Sequence, residues 1–243
     1  MNLPWLDPGD SFPDPSQAWD ASQPAPGLLA AGGALDIDSL HRAYSSGIFP
    51  WFSDGEPILW WSPDPRAVLI PADLYVSTSL RKSVRRGDYA VSLDTAFGNV
   101  LTQCSGPRSR SRGTWLGTEM RDAYAQLHIR GYAHSVEVWR AGELIGGLYG
   151  VALGRVFFGE SMFSRKDDAS KLALYWLCQQ LIAWDFGLID CQVGSAHLKS
   201  LGATDVSRER FLNLLRVAVS RPPRTGLWRF DIAAPALREH LAP

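Results

Sequence analysis

The stretch Phe157-Phe158-Gly159-Glu160-Ser161-Met162-Phe163-Ser164 has the composition of a β-strand, yet it holds a carboxylate among aromatic side chains. A second strand-like stretch, Leu188-Ile189-Asp190-Cys191-Gln192-Val193, holds an aspartate and an amide in the same way. Burial of a carboxylate in apolar surroundings is costly unless it has a partner or a function. Either carboxylate alone is explained by pairing with a buried arginine or with backbone N–H groups, but two in one core favour a polar site.

Side chains alternate between the two faces of a β-strand, so Asp190 and Gln192 are predicted on one face, about 7 Å apart. If the two strands are neighbours, Glu160 converges with both, and two carboxylates with an amide can orient a nucleophile and hold an amine. The same alternation predicts that three residues face the core: Ile189, Cys191 and Val193.

Covalent catalysis has little support in the sequence. No GxSxG nucleophile elbow surrounds Ser161, and a lone histidine such as His197 is more often a hydrogen-bonded structural residue than a base. The three cysteines have no CxxC or Cys/His metal spacing, which favours free thiols in a reducing compartment over a zinc site or a disulfide scaffold.

The 243 residues, 46% apolar and 20% charged, suit a globular protein with one large or two modest domains. The net charge of −1 means that affinity for a polyanion must come from local patches. No apolar run reaches transmembrane length and the N-terminal residues do not have the pattern of a signal peptide, so a cytoplasmic protein is expected.

Six prolines in the first 26 residues predict irregular chain, and the proline pair near residues 62–65 predicts a boundary between a small N-terminal domain (1–63) and a larger one (64–243). Ala141-Gly142 predicts a tight hairpin turn within a three-stranded antiparallel meander. Sheet plus packed helices gives an α+β (mixed α/β) fold. The predicted helices cover 36–47, 79–86, 118–130, 168–184 and 208–220, and the predicted strands cover 67–70, 134–140, 143–151, 156–163 and 188–193.

Several strings together resemble the leucyl/phenylalanyl-tRNA–protein transferase family over residues 27–215. They include Gly47-Ile48-Phe49-Pro50-Trp51-Phe52, Pro57-Ile58-Leu59-Trp60-Trp61-Ser62-Pro63, Gly113-Thr114-Trp115, Gly159-Glu160-Ser161-Met162-Phe163-Ser164 and Ile189-Asp190-Cys191-Gln192. The resemblance implies a small N-terminal α/β domain and a larger acetyltransferase-like (GNAT) domain. It implies transfer of Leu, Phe or, less well, Met from aminoacyl-tRNA to proteins that begin with Arg or Lys, which marks them for degradation. No metal or cofactor is implied, and a monomer is expected.

The resemblance also implies roles for individual residues. Asp190 and Gln192 would assist attack by the acceptor amine, Glu160 would bind an amine, and Trp51 and Trp115 would hold the 3′-terminal adenosine by base–aromatic stacking. The apolar candidates for the amino-acid pocket are Leu148, Phe157, Leu174, Leu177 and Ile189. The candidates for contact with tRNA phosphates are Arg81, Lys82, Arg85 and Arg86, and a second cluster, Arg108, Arg110 and Arg112, is equally explained as solvated surface.

The chain departs from the family pattern at Gly33-Ala34-Leu35, at Gly194-Ser195-Ala196 and at Thr118, none of which is a proposed site residue. Two other functions stay open. An acetyl-CoA-dependent enzyme needs a glycine-rich strand-to-helix turn for the pyrophosphate, and the nearest string, 110–115, ends in tryptophan. A non-catalytic binder of the tRNA end would bind without transfer.

Overall fold

A computed structural model of the chain describes residues 3–106 and 116–235. The described residues form two β-sheets with helices packed on them, which confirms the mixed α+β class. The strands are β1 (Trp5–Leu6), β2 (Leu28–Gly32), β3 (Phe49–Pro50), β4 (Leu59–Trp61), β5 (Arg66–Leu69), β6 (Ala90–Leu93), β7 (Ala133–Arg140), β8 (Glu143–Leu153), β9 (Val156–Ser164), β10 (Leu188–Gln192) and β11 (Thr204–Val206). The helices are α1 (Ile37–Ser45), α2 (Thr78–Arg86), α3 (Phe97–Cys104), α4 (Thr118–Ile129), α5 (Ala169–Ala183), α6 (Ala196–Ser200) and α7 (Arg208–Val219).

The smaller sheet is built before residue 62, in the order β1-β2-β4-β3. The sequence predicted irregular chain and a helix here, because strands of two to five residues interrupted by proline give no periodic pattern. Trp60 is fully buried and donates its indole N–H to the carbonyl oxygen of Gly32 at 2.8 Å, which fastens β4 to the end of β2.

The larger sheet has the order β11-β5-β10-β9-β8-β7-β6. Strands β7, β8 and β9 form the predicted antiparallel meander. Ala141 and Gly142 both have positive φ, 49° and 80°, as a two-residue hairpin turn with this twist requires. Strands β9 and β10 run parallel, and every other neighbouring pair of this sheet is antiparallel. That parallel pair positions the site.

The five predicted helices are present, with ends within two residues of the prediction. Asp36 caps α1 by accepting the backbone N–H of Ser39 at 2.9 Å. For α5 the sequence offers Asp167 or Asp168 as the cap, and the side chain of Asp168 makes no capping bond. Asp168 holds the cap position with φ 63°, but its carboxylate accepts from Lys171 Nζ at 2.9 Å and from the hydroxyl of Ser83 at 3.1 Å.

Two apolar clusters cover opposite faces of the larger sheet. Phe158 belongs to one cluster and the preceding residue Phe157 to the other, because successive side chains of β9 point to opposite faces. The smaller sheet ends at Trp61 and β5 begins at Arg66. The proposed domain boundary falls in this gap and stays a prediction, because side chains from both parts of the chain meet at the site described below.

Candidate active site

The parallel strands β9 and β10 separate at one point, and the site lies in the opening. Their last paired residues are Phe158 and Asp190. Glu160 and Gln192 each stand two residues beyond that pair, one on each strand. The side-chain N–H of Gln192 donates to Glu160 Oε1 at 3.1 Å and bridges the gap. The prediction that Glu160 and Gln192 converge is therefore confirmed.

Each of these strands carries a β-bulge at the site. On β9, Tyr149 and Gly150 of β8 pair with Ser161 and Gly159, so Glu160 is the extra residue of the ladder. On β10, pairing with β5 skips Cys191 in the same way. Bulges re-aim side chains and are common next to active sites. Here they turn a carboxylate and an amide toward each other.

The β10 bulge overturns part of the predicted alternation. Gln192 adopts φ 54°, a left-handed conformation that is uncommon for a residue with a side chain. As a result Cys191 and Gln192 both line the cavity described below, and Val193 is 48% exposed instead of facing the core. Asp190 does not share a face with Gln192, because its side chain points into the protein toward Arg66.

Asp190 is neutralised by a buried arginine. Its two carboxylate oxygens accept from Arg66 Nε at 2.8 Å and Nη2 at 2.6 Å, and both side chains are 0% exposed. Asp190 Oδ1 also accepts the backbone N–H of Gln192 at 2.9 Å. The explanation that a buried arginine pairs with the carboxylate, left open by the sequence, therefore holds for Asp190 and not for Glu160.

Among the described residues, the hydrogen-bond partners of Glu160 are all neutral. Its Oε1 accepts from the hydroxyl of Tyr44 at 2.8 Å and from Gln192, and its Oε2 accepts from the hydroxyl of Tyr124 at 2.6 Å. A carboxylate offers about four acceptor positions, so the donors within residues 3–106 and 116–235 leave one position on Oε2. Burial raises the pKa of Glu160 to about 7, although the two phenol hydrogen bonds lower it.

A count of protons explains why neutral Glu160 is tolerated. The hydroxyls of Tyr44 and Tyr124 also contact each other, at 2.8 Å. Two phenols supply two hydrogens for three contacts, and a proton on Glu160 supplies the third. Burial raises the pKa of both phenols well above the ordinary range, and the nearby Glu160 charge adds to the shift. The phenols therefore stay protonated and act as donors.

A cavity of about 410 Å³ opens beside Glu160 and Gln192, within the usual size range for small-molecule sites. Most of its lining is apolar, and the lining residues include Met162 and Cys191. Burial raises the pKa of the Cys191 thiol to about 12, so this sulfur is a poor nucleophile at neutral pH. The five predicted pocket residues all line this cavity: Leu148, Phe157, Leu174, Leu177 and Ile189.

Aromatic and polar groups stand at the edge of the cavity. Trp51 lines it with 44% of its surface exposed, and its ring lies 5.6 Å from that of Trp61. Ser195 and His197, both exposed, also border it. The other predicted adenosine-binding residue, Trp115, and the second basic cluster, Arg108, Arg110 and Arg112, lie outside the described residues.

The predicted phosphate-binding residues lie on α2. This helix packs against α5, whose Leu174 and Leu177 line the cavity. Their side chains are exposed: Arg81, Lys82, Arg85 and Arg86. Within residues 3–106 and 116–235, no group of three His, Cys, Asp or Glu side chains is placed to hold a metal ion. None of the helices in the same residues has the length and apolarity needed to cross a lipid bilayer.

Three residues of the site were missed by sequence reasoning. Tyr44 and Tyr124 occupy buried helix positions that are indistinguishable from core positions, because only their hydroxyls reach Glu160. Arg66 directly follows the proline pair, and no sequence pattern connects it to Asp190, which is 124 residues away along the chain. An arginine directly before an apolar strand-like stretch was the available indication.

Fold and site together define a mixed α+β protein whose larger sheet opens onto an apolar cavity bordered by a carboxylate–amide pair. The family model described as leucyl/phenylalanyl-tRNA protein transferase matches residues 68–216, and the model of its N-terminal domain matches residues 33–64. The chain belongs to the leucyl/phenylalanyl-tRNA–protein transferase family, which confirms the family predicted from the sequence motifs.

Curated members of this family match the chain over nearly its whole length. A leucyl/phenylalanyl-tRNA–protein transferase of Nitrosospira multiformis is 54% identical over 229 residues, which cover 94% of this chain and 97% of the relative. One from Alkalilimnicola ehrlichii is 53% identical and covers 94% of this chain and 89% of the relative. A solved GCN5-related N-acetyltransferase from Kribbella flavida aligns with a TM-score of 0.36 at 12% identity, over 69% of this chain and 60% of that one. At this TM-score the likeness is too low to support any conclusion about function.

Proposed function

We propose that this protein transfers an apolar amino acid, Leu or Phe and less well Met, from aminoacyl-tRNA to the N-terminal amine of acceptor proteins that begin with Arg or Lys. The tag marks the acceptor for degradation. The observation that supports the proposal most is the Glu160–Gln192 pair at the edge of an apolar cavity, in a chain that belongs to this family.

The reaction needs positioning more than covalent catalysis. The acceptor nitrogen forms a bond to the ester carbonyl carbon, the bond from that carbon to the ribose 3′ oxygen breaks, and a proton moves from the nitrogen to the released oxygen. An α-amine has an ordinary pKa of about 7.7–8.0, so part of it is neutral near pH 7. Holding amine and ester together then supplies most of the rate gain.

Glu160 and Gln192 are the groups placed to hold that amine. The free acceptor position on Glu160 Oε2 takes one amine N–H, and the side-chain oxygen of Gln192 takes another, because its N–H already points to Glu160. The resemblance implied that Asp190 orients Gln192, and in this proposal it does so by accepting the backbone N–H of Gln192. It is a positioning residue and makes no contact with the substrate.

The aminoacyl end occupies the cavity. Leu, Phe and Met are unbranched at Cβ and reach into a narrow apolar pocket, whereas Ile and Val are stiff and wide at that point. Trp51 stacks on the 3′-terminal adenine, and the basic face of α2 contacts tRNA phosphates. Trp115 has the same proposed role as Trp51, and the protein acts as a monomer.

The test is one incubation of the protein with labelled Leu-tRNA and an acceptor that begins with Arg. Transfer of label that depends on the N-terminal Arg supports the proposal, and the same acceptor with an acetylated N-terminus is the matched control. Binding of Leu-tRNA without transfer would instead indicate a binder of the tRNA end. Calorimetric binding of acetyl-CoA would favour an acetyltransferase and contradict the proposal.

A further inference from the structure

Arg66 joins three parts of the molecule: strand β10, the segment 47–49 and helix α7. Its Nε and Nη2 hold Asp190, and its Nη1 donates to the carbonyl oxygen of Gly47 at 3.0 Å. Its guanidinium lies between the rings of Phe49, at 4.9 Å, and Phe211, at 4.4 Å. Every one of these contacts uses the flat, forked shape of arginine, which lysine does not have.

The contacts of Arg66 reach both walls of the cavity. On one side, Arg66 contacts Gly47 and Phe49 in the segment 47–51. Phe49, Pro50 and Trp51 of this segment line the cavity. On the other side, Asp190 accepts the backbone N–H of Gln192 and so holds the bulge in which Gln192 has φ 54°. A non-glycine residue in the left-handed region is strained and persists only when its surroundings fix it.

From this geometry we propose that Arg66 is a positioning residue for the transfer step, acting through Asp190 on Gln192. Arg66 fixes the Asp190 carboxylate, the carboxylate fixes the backbone of Gln192, and the side chain of Gln192 then meets Glu160 and the acceptor amine. Asp190 itself contacts Arg66 and the backbone N–H of Gln192 and does not contact the amine. The inference rests on the proposed function, since it concerns the rate of aminoacyl transfer.

The test measures single-turnover transfer from Leu-tRNA to an Arg-starting peptide, with separate measurement of Leu-adenosine binding. We expect Arg66→Lys to slow transfer by about a hundredfold, the typical cost of misplacing a group by about 1 Å, with Leu-adenosine affinity within about twofold of wild type. In the Gln192→Ala background, Arg66→Lys should have no further effect, because both changes remove the same interaction.

Arg155→Lys is the matched control. Arg155 also donates to backbone carbonyl oxygens, those of Gly154 and Pro222, and lies over the ring of Phe186, but these contacts are all away from the site. It should leave the transfer rate unchanged. Unchanged transfer by folded Arg66→Lys, or an equal loss in the wild-type and Gln192→Ala backgrounds, would overturn the inference. Absence of transfer by the wild-type protein would instead contradict the proposed function.

A second variant separates positioning from folding. The pair Arg66→Met with Asp190→Leu replaces a buried ion pair by apolar side chains, which is often neutral or stabilising. It also removes the acceptor of the Gln192 N–H. We expect this variant to unfold at a denaturant concentration close to that of wild type and yet to transfer as slowly as Gln192→Ala. Wild-type transfer by this folded variant would also overturn the inference.

Discussion

Asp190 and Glu160 lie on neighbouring strands of one sheet. In the sequence, each is a charged residue within a largely apolar, strand-like stretch. Their surroundings differ in charge. Asp190 has the guanidinium of Arg66 and is 0% exposed, whereas Glu160 has two phenols and an amide and borders a cavity. A cationic partner already satisfies the first carboxylate. The second has only neutral donors in the part of the chain that the structure describes, so a cationic or amine ligand can still improve its surroundings.

The comparison predicts the largest loss of stability at Asp190. Asp190→Ala leaves the Arg66 guanidinium buried without a counter-charge, which typically costs about 3–5 kcal/mol. Urea denaturation gives the free energy of unfolding. Asp205→Ala is the control, because Asp205 pairs with the exposed Lys199 at 2.6 Å and an exposed pair contributes about 0–1 kcal/mol. Equal losses in the two variants would show that Asp190 is no more important for folding than a surface carboxylate.

Glu160→Gln should have the opposite profile, with little loss of stability and a large loss of activity. A hydrogen bond to a charged group is worth about 1.5–3 kcal/mol, so kcat/KM should fall roughly tenfold to a hundredfold.

Because the folded-state pKa of Glu160 is raised to about 7 from 4.5, its contribution to stability is fully present below about pH 4.5. That contribution is lost as pH rises through 7.

The pH dependence of stability and of transfer gives a second test of the role of Glu160. Glutamine does not titrate, so the stability of the variant relative to wild type should increase between pH 5 and pH 8. In wild type, transfer should fall as pH drops below about 7, because protonated Glu160 no longer offers a charged acceptor. A variant that is as active as wild type at pH 8 would remove Glu160 from the reaction.

Some features of the site around the two carboxylates could be predicted from the sequence, and others could not. The strings around Glu160, Asp190 and Gln192 identified the family, and strand alternation brought Glu160 near Gln192. Alternation failed at the bulges, since an extra residue reverses the facing of everything beyond it. The partners could not be predicted either: Arg66 and Tyr44 are each more than 100 residues from the carboxylate they bind.

Trp51 gives a smaller effect, confined to substrate binding. Trp51→Ala should weaken binding of Leu-adenosine by about 1–3 kcal/mol if its ring stacks on adenine. The affinity of this fragment, measured by calorimetry, isolates the contact from the rest of the tRNA. Trp5→Ala is a suitable control, because Trp5 is 66% exposed and does not line the cavity. Unchanged affinity in Trp51→Ala would assign this ring to packing against Trp61.

The basic face of α2 should affect the tRNA body and not its aminoacylated end. Replacing Arg81, Lys82, Arg85 and Arg86 with Gln should weaken tRNA binding, and removal of each phosphate interaction should flatten the slope of log K against log salt by roughly 0.7–0.9. The affinity for Leu-adenosine should stay the same. A salt dependence equal to that of wild type would show that this face is solvated surface.

The most direct test of the contrast between the two carboxylates is an NMR titration of the Glu160 carboxyl carbon, assigned by its loss in Glu160→Gln. We expect a pKa of about 7 for Glu160 in the free protein. A peptide with a free N-terminal Arg should lower that pKa, because a nearby cation favours the carboxylate, and the same peptide acetylated at its N-terminus should not. A pKa near the ordinary 4.5 that neither peptide changes would contradict the assignment of Glu160 as the amine-binding carboxylate.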